Sequence, residues 1–473
     1  MLKGKAQKIS DRSPFESYED ILNSDTVPSP DYFKEGPNPD IKSEPFLASR
    51  YHDQDFFDKE VKYVWSKTWQ WACREEDIPN IGDHHIFNNV GKSLIIVRTK
   101  ENEIKALINS CLHRGRQILA DDGNLDEFRC AFHGLSWNFD GTFKENPFGW
   151  DCPQWNGGAP DLPEAKVELW GGFVFINMDL EAEPLSTVLG PMSAHFERYD
   201  FSNRYKAAHI SKKIKSNWKL STEAFMESHH VLGTHPQGLP MTGDINSQYD
   251  IWNDYVGRQL SAHTVKSPHI KEDISEQQIF NAFTGADHDL EKNPEMRVPE
   301  GMTARTFTAQ MFRDNLSNET GYDYSHAGDA EMVDSLIYNV FPNYSIWAGM
   351  LFNTIYRFRP NGLDPNSSIM DIVLLKPVPK DGPRPEPASI KYLDFDEPVT
   401  DAAEELGAGL SLVFEQDAVN LPYVHDGLRA SGTQTVEFSN YMEKRLRMHH
   451  IMLDRLIEAV SYTHLTLPTS VIV

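Results

Sequence analysis

The sequence predicts an α+β protein with a β-rich domain first and a larger mixed domain after it. Three observations carry that expectation. Residues 80–175 hold short apolar runs broken by Asn, Gly and Asp, as small strands are. Beyond a lead-in helix over 51–71, helical periodicity returns at 217–231 and again over 400–423 and 433–459, with strand-like runs between. At 473 residues the chain has length for two or three domains of about 150 residues each.

The elements follow in order. Residues 1–45 are rich in Asp, Ser and Pro and read as an extended arm, partly ordered at best. Strands are expected at 85–87, 93–97, 104–108 and 171–176, and Asp140-Gly141 marks a hairpin turn. The helix from Asn217 stops at Gly233, with Pro236 just beyond. Residues 235–335 are polar and weakly periodic and read as long loops. Strands resume at 335–341, 344–348, 353–359 and 368–377 before a proline-rich loop and the last helices. The final fourteen residues, 460–473, resemble a translated sequencing adapter and are set aside.

Composition excludes several functions. Forty-five Lys and Arg against 70 Asp and Glu give a formal charge of −25, so a nucleic-acid backbone would be repelled over most of the surface. With 40% hydrophobic residues there is ample material for a core. No apolar run reaches the roughly 18 residues of a membrane helix, and the polar, basic first ten residues argue against a signal peptide, so a cytoplasmic location is expected. Four cysteines, Cys73, Cys111, Cys130 and Cys152, are too few for a disulfide framework.

Two of them carry chemistry. Cys111-Leu112-His113 is followed after sixteen residues by Cys130-Ala131-Phe132-His133. Each loop offers one thiolate and one imidazole. A single zinc ion is one occupant; a two-iron cluster, with two Cys on one iron and two His on the other, is the second. The flanks Arg114-Gly115-Arg116 and Gly134-Leu135-Ser136-Trp137 resemble the Rieske iron–sulfur motif. Arg116 stands where loops of the respiratory kind carry a further cysteine. Cys73 and Cys152 read as half-buried bystanders.

A second constellation lies at 217–236. On a continuous helix, Glu223, Glu227 and His230 share a face, being four and three residues apart, and His235 sits just past the stop. Two imidazoles and one carboxylate with open positions form the facial triad of non-haem Fe(II) oxygenases. The segment resembles the pattern Glu/Asp-x3-Asp-x2-His-x4-His of Rieske oxygenases, with His229 off register as a neighbour. Phe414-Glu415-Gln416-Asp417 resembles the late aspartate segment of that family, so Asp417 is taken as the third ligand over Asp401 and Asp426.

Taken together, the chain from about 45 to 459 resembles the α subunit of a Rieske non-haem iron ring-hydroxylating oxygenase. The resemblance implies a Rieske [2Fe–2S] domain over 46–170 and a helix-grip (START/Bet v1-like) catalytic domain over 171–459. It implies a cluster on Cys111, His113, Cys130 and His133, a mononuclear Fe(II) on His230, His235 and Asp417, and O2 as co-substrate. Glu227 would be the intersubunit electron-transfer bridge. The family usually has Asp there; Glu resembles the carnitine-monooxygenase branch. Implied partners are a separate NAD(P)H-dependent reductase or ferredoxin, a small organic substrate and two further copies in a homotrimer, with or without a β subunit. Hydroxylation of an aromatic ring or oxidative demethylation is the implied reaction. A monooxygenase of quaternary amines, such as carnitine or a betaine, is the alternative, and a non-catalytic electron-transfer protein is disfavoured by the triad. Trp347, Phe352 and Tyr356 are expected in the sheet core or a substrate pocket, and Arg114, Arg116, Lys212 and Lys213 as a basic docking patch.

Overall fold

The computed structural model describes residue 10 and residues 12–351 and 353–464. Its first half is built on a seven-stranded antiparallel sheet. The strand order is Gln70–Arg74, Phe173–Asn177, Glu164–Trp170, Glu103–Ile108, Lys92–Lys100, Asp83–Asn89 and Gly123–Asn124. A three-stranded sheet, Glu127–Arg129, Ser136–Asn138 and Phe143–Glu145, packs on it through Phe128, Leu135 and Trp137 against Ile95, Val97 and Leu107. Asp140-Gly141 makes the expected turn between two of its strands. Gly171-Gly172 forms another turn, so the strand expected at 171 starts at Phe173 and pairs back on Glu164–Trp170. This hairpin straddles the 170/171 boundary expected from the sequence.

The second half rests on an eight-stranded sheet. Its order is Gln248–Ile251, Val256–Ser261, Ser335–Val340, Tyr344–Trp347, Asn353–Asn361, Asp364–Pro377, Arg204–Ile214 and Ile390–Leu393, with only the last pair parallel. Alternate residues serve opposite faces. Tyr356, Phe358, Met370 and Ile372 join Phe225, Phe414 and Leu421 under the helices. Ile355, Val373 and Leu375 join Trp71, Phe173 and Phe175 of the first domain. With both faces buried, apolar residues run together at 369–370 and 372–375 instead of alternating with polar ones. Arg357 locks the domains together, donating to the carbonyls of Trp71 (2.8 Å) and Ala72 (2.9 Å) while its Nε–H holds Asp371.

Several expectations are corrected. The region 235–335 is no loop: it holds two strands of the sheet and the helices Glu276–Thr284 and Ala304–Thr320. Their polar faces hid the periodicity. The last helix spans Lys444–His464 rather than starting at 433, because Thr435–Val436 pairs as a short strand with Phe46–Leu47. Cys73 and Cys152 are fully buried, at 3% and 4% exposure. The arm is not loose where it is described: Tyr18, Ile21 and Phe33 are buried, and the Tyr18 hydroxyl donates to Asp334 (2.8 Å). Asp25 accepts from Arg305 Nε (2.6 Å) on the 304–320 helix. No described helix is long and apolar enough to cross a membrane.

The packed arm yields a test. Tyr18→Ala removes a buried ring and is expected to cost about 3 kcal/mol, whereas Glu16→Ala on the exposed side stays within about 0.5 kcal/mol. Denaturant midpoints of the two variants check this.

Candidate functional site

The two Cys/His loops share one backbone design. Cys111 N–H donates to Arg116 O (2.8 Å), and Gly115 N–H returns to Cys111 O (2.8 Å). Cys130 N–H donates to Leu135 O (2.8 Å), and Gly134 N–H returns to Cys130 O (3.0 Å). Gly115 and Gly134, four residues after each cysteine, take φ of 76° and 82°, a region open to glycine. The loops differ in where histidine falls, two residues after the first cysteine and three after the second. The rings still meet, with His113 and His133 centroids 4.8 Å apart.

This arrangement suits the cluster expected there. Cys111 and Cys130 are buried (4% and 1% exposed), and His113 Nδ1 is a buried nitrogen with no hydrogen-bond partner. Burial pushes the Cys111 thiol up, and the neighbouring Cys130 adds to it, so a bound cation would favour its thiolate. A single zinc would draw all four donor atoms within roughly 4 Å of one another. Among the described residues, the group of three or more potential ligands whose atoms all lie within 4.8 Å of one another is His230, His235 and Asp417, and the Cys/His set is not such a group. Donors spread over two irons fit better.

That second group is assembled from a broken helix and an intact one. The expected helix through 231 stops at Glu223, and a separate turn, Val231–Thr234, follows. Tertiary partners cause the break. Arg445 takes the Met226 carbonyl (3.0 Å), the Tyr249 hydroxyl takes the Ser228 N–H (3.2 Å), and Ser228 Oγ donates to Asp244 O (2.7 Å). Glu223, Glu227 and His230 therefore do not share a helix face. Glu223 turns away, receiving the Tyr51 hydroxyl (3.0 Å) and facing His450 Nε2 (2.9 Å).

His230, His235 and Asp417 offer atoms that all lie within 4.8 Å of one another. His230 Nδ1–H is held by Glu227 Oε1 (2.6 Å), and His235 Nδ1–H by Gln416 Oε1 (2.8 Å). Each bond fixes the tautomer and turns the Nε2 lone pair inward. His235 Nε2 is buried and makes no hydrogen bond, although Asp417 Oδ1 lies 3.0 Å away; His230 Nε2 is 3.8 Å from the same oxygen. Two free imidazole lone pairs facing a carboxylate fit a divalent metal. Asp417 comes from the helix Ala408–Ala430, and Gln416 is its neighbour in sequence.

The surroundings are ordered by charge. Burial alone would raise the Glu227 carboxyl, but His229 and His230 hold it far below the usual carboxylate range. His229 Nδ1 lies 2.8 Å from Glu227 Oε2, the neighbour role expected for it. The competing carboxylates are otherwise engaged or exposed: Glu415 accepts from Val399 N (2.6 Å), Asp426 faces Arg429, and Asp401 is exposed. Trp347 and Tyr356 lie in an aromatic group with Phe225 and Phe414 at centroid distances of 4.8 to 6.4 Å, close enough to Asp417 for its charge to raise Tyr356 further beyond the effect of burial. Phe352 lies outside the described residues. Lys212 is no docking residue: it is buried, and its ammonium donates to the carbonyls of Asp394, Phe395 and Glu397. Lys213 pairs with Asp394 (3.2 Å), while Arg114 and Arg116 are exposed.

Sequence reasoning missed Gln416, Tyr51 and His450. Adjacency to Asp417 was a signal for the first; the other two lie 172 and 227 residues from Glu223, with no local pattern linking them.

Comparison with known families agrees with this geometry. A model of the Rieske [2Fe-2S] domain matches residues 68–155, and one of the ring hydroxylating alpha subunit (catalytic domain) matches residues 196–459. The chain belongs to the family of Rieske ring-hydroxylating oxygenase α subunits. Among curated relatives, it is 27% identical over 195 residues to the carnitine monooxygenase oxygenase subunit of Escherichia coli K12, covering 40% of this chain and 51% of the relative. It is 31% identical over 205 residues to the biphenyl 2,3-dioxygenase subunit alpha of Rhodococcus jostii RHA1, covering 40% and 43%. The chain thus spans about half the length of the curated relatives it matches. Two solved structures share the fold. A quaternary ammonium Rieske monooxygenase superposes with a TM-score of 0.61 at 16% identity, covering 89% of this chain and 96% of that one. Naphthalene 1,2-dioxygenase with indole bound gives 0.59 at 19%, covering 92% and 100%.

Two outcomes follow from the site. Gln416→Leu releases the His235 tautomer, so ferrous-ion affinity at this centre is expected to fall about 10–100-fold, read by metal titration of the apoprotein. Burial pushes Glu223 up to about 8 from its ordinary 4.5, so this group's contribution to stability is full below pH 4.5 and is lost as pH rises through 8. Melting temperatures across that window should decline in the parent and flatten in Glu223→Gln.

Proposed function

We propose that this protein is the terminal oxygenase component of a multi-protein system, accepting electrons from a separate NAD(P)H-dependent reductase or ferredoxin and hydroxylating or demethylating a small organic substrate. The observation that carries this reading is the pair of inward Nε2 atoms of His230 and His235 facing Asp417, in a chain that also holds the Cys/His loops. Bound iron would supply electron storage at the loops and activation of dioxygen at the triad. The rest falls to the chain itself.

Gln416 and Glu227 orient the two imidazoles. Glu227 is the candidate bridge between centres of neighbouring subunits: Oε1 holds His230, and Oε2 lies toward the half-exposed His229. Exposed apolar side chains support a ring of three copies. Phe132 beside His133 is 51% exposed and Trp150 is 88% exposed, while Leu232 near the triad and Tyr423 on the Asp417 helix are 48% and 74% exposed. Two different patches on one chain suit a head-to-tail contact that closes on itself. Arg114, stacked on Phe132 at 5.0 Å, and Arg116 would receive an acidic electron donor. Four free cysteines agree with a reducing cytoplasm.

The aromatic group of Trp347, Tyr356, Phe225 and Phe414 would exclude water from the triad and wall the substrate. A quaternary-amine substrate is the second reading. It is favoured by Glu at 227 and by those same rings, since π faces attract a desolvated ammonium.

Reconstituted protein should hold about three irons per chain, two in the cluster and one at the triad. Asp417→Ala should keep the cluster absorbance, lose about one iron and abolish substrate-coupled oxygen uptake with a surrogate reductase. Glu227→Gln should keep full iron but slow electron transfer between the centres at least about a hundredfold in single-turnover experiments. A parent protein holding only the cluster iron would overturn the oxygenase reading.

A further inference from the structure

His235 is fixed by a side chain that itself needs fixing. Its Nδ1–H is accepted by Gln416 Oε1 (2.8 Å), an amide oxygen brought by the Ala408–Ala430 helix. An amide differs from a carboxylate in having one accepting end and one donating end. Turned over, Gln416 would present N–H₂ to the imidazole. His235 Nδ1 would then have to accept, the ring proton would move to Nε2, and the lone pair beside Asp417 would be lost. Glu227 escapes this ambiguity at His230, because both of its ends are oxygens.

The restraint comes from two residues beyond His235. Gln237 Nε2–H donates to the same Gln416 Oε1 (2.6 Å), and Gln416 Nε2–H donates back to Gln237 Oε1 (3.2 Å). The Gln416 oxygen thus uses both lone pairs, one for each donor. Reversing that amide alone would set N–H₂ against N–H₂ and oxygen against oxygen, so it turns over only if Gln237 turns with it. Pro236 and the bond from Gly238 N–H to His235 O (2.8 Å) close residues 235–238 into a tight turn, and His235 and Gln237 reach one oxygen from it. One turn further along the helix, Asn420 Nδ2–H donates to Thr234 Oγ1 (3.2 Å), a second neutral stitch between the two segments. His235 and Asp417 are each 5% exposed, whereas Gln237 is exposed, so it can be replaced without opening the core.

We propose that Gln237 is a positioning residue of the mononuclear metal site: its paired amide bonds keep the Gln416 oxygen turned to His235, and so keep His235 Nε2 free to bind a metal. The inference rests on the metal-site reading above and adds to it a residue that acts only through Gln416.

The test is a ferrous-ion titration, without oxygen, of the full chain carrying its cluster but stripped of mononuclear iron. Gln237→Leu removes both amide bonds with a side chain of similar size, and affinity is expected to fall about fivefold, as for loss of a neutral hydrogen bond. Gln416→Glu is the discriminating background. A carboxylate accepts at either end, so adding Gln237→Leu to Gln416→Glu should change affinity less than about twofold. Cluster absorbance checks that each variant is folded. A loss below about twofold in the parent background, or an equal loss in both backgrounds, overturns the role. The equal loss would mark Gln237 as a support of the 234–238 segment and not of the amide. A parent that binds no ferrous ion at the triad, shown by a titration unchanged in Asp417→Ala, overturns the metal-site reading and this inference with it.

Discussion

An imidazole offers a lone pair to a metal only when its other nitrogen is held as a donor. At the triad this requirement is met twice, by Glu227 for His230 and by Gln416 for His235. Much of the surrounding structure serves those two bonds. Glu227 must stay ionised, which its burial opposes and its two histidine neighbours enforce. The chain leaves helical geometry after Glu223 yet keeps Glu227 beside His230 while Glu223 turns away. In that departure Arg445 and Tyr249 partner the backbone at Met226 and Ser228, and the Asp244 carbonyl holds the Ser228 hydroxyl. The centre therefore draws on the C-terminal helix and the far strands of the sheet as well as its own segment.

The sheet beneath imposes a second constraint. Its middle strands belong to two cores at once, one shared with the helices and one with the first domain. Arg357 ties the same strands to carbonyls of Gln70–Arg74. The domains are thus joined through shared core and buried hydrogen bonds, which hold the Cys/His loops and the His/His/Asp group in a fixed relation within the chain.

Much of this was legible in the sequence because the decisive features are local. Cys-x-His, Cys-x-x-His and the spacing from Glu227 to His235 are short patterns, and strands at 93–97, 335–340 and 368–377 announce themselves by largely apolar runs. What was not legible is set by distant contacts. A helix with good periodicity at 217–231 breaks because residues at 249 and 445 claim its backbone and 244 its Ser228 hydroxyl. The 304–320 helix was hidden because its buried face includes Arg305 and Arg313, each neutralised by aspartates from elsewhere. The arm read as solvated because Tyr18, Ile21 and Phe33 are scattered among polar residues, and only the 304–320 helix and its neighbours give them a surface. Lys212 looked like a docking charge until carbonyls at 394–397 enclosed it.

Asp417 and Gln416 sit side by side on one helix yet do different work, one facing the metal position and the other gripping an imidazole edge. Adjacent helical residues point about 100° apart, so this division of labour fixes the rotational phase of the helix as it leaves Gly407. Adding or removing one residue between 407 and 416 would swing both side chains off target together. The nine residues 408–416 are thus a ruler whose length is read at its far end.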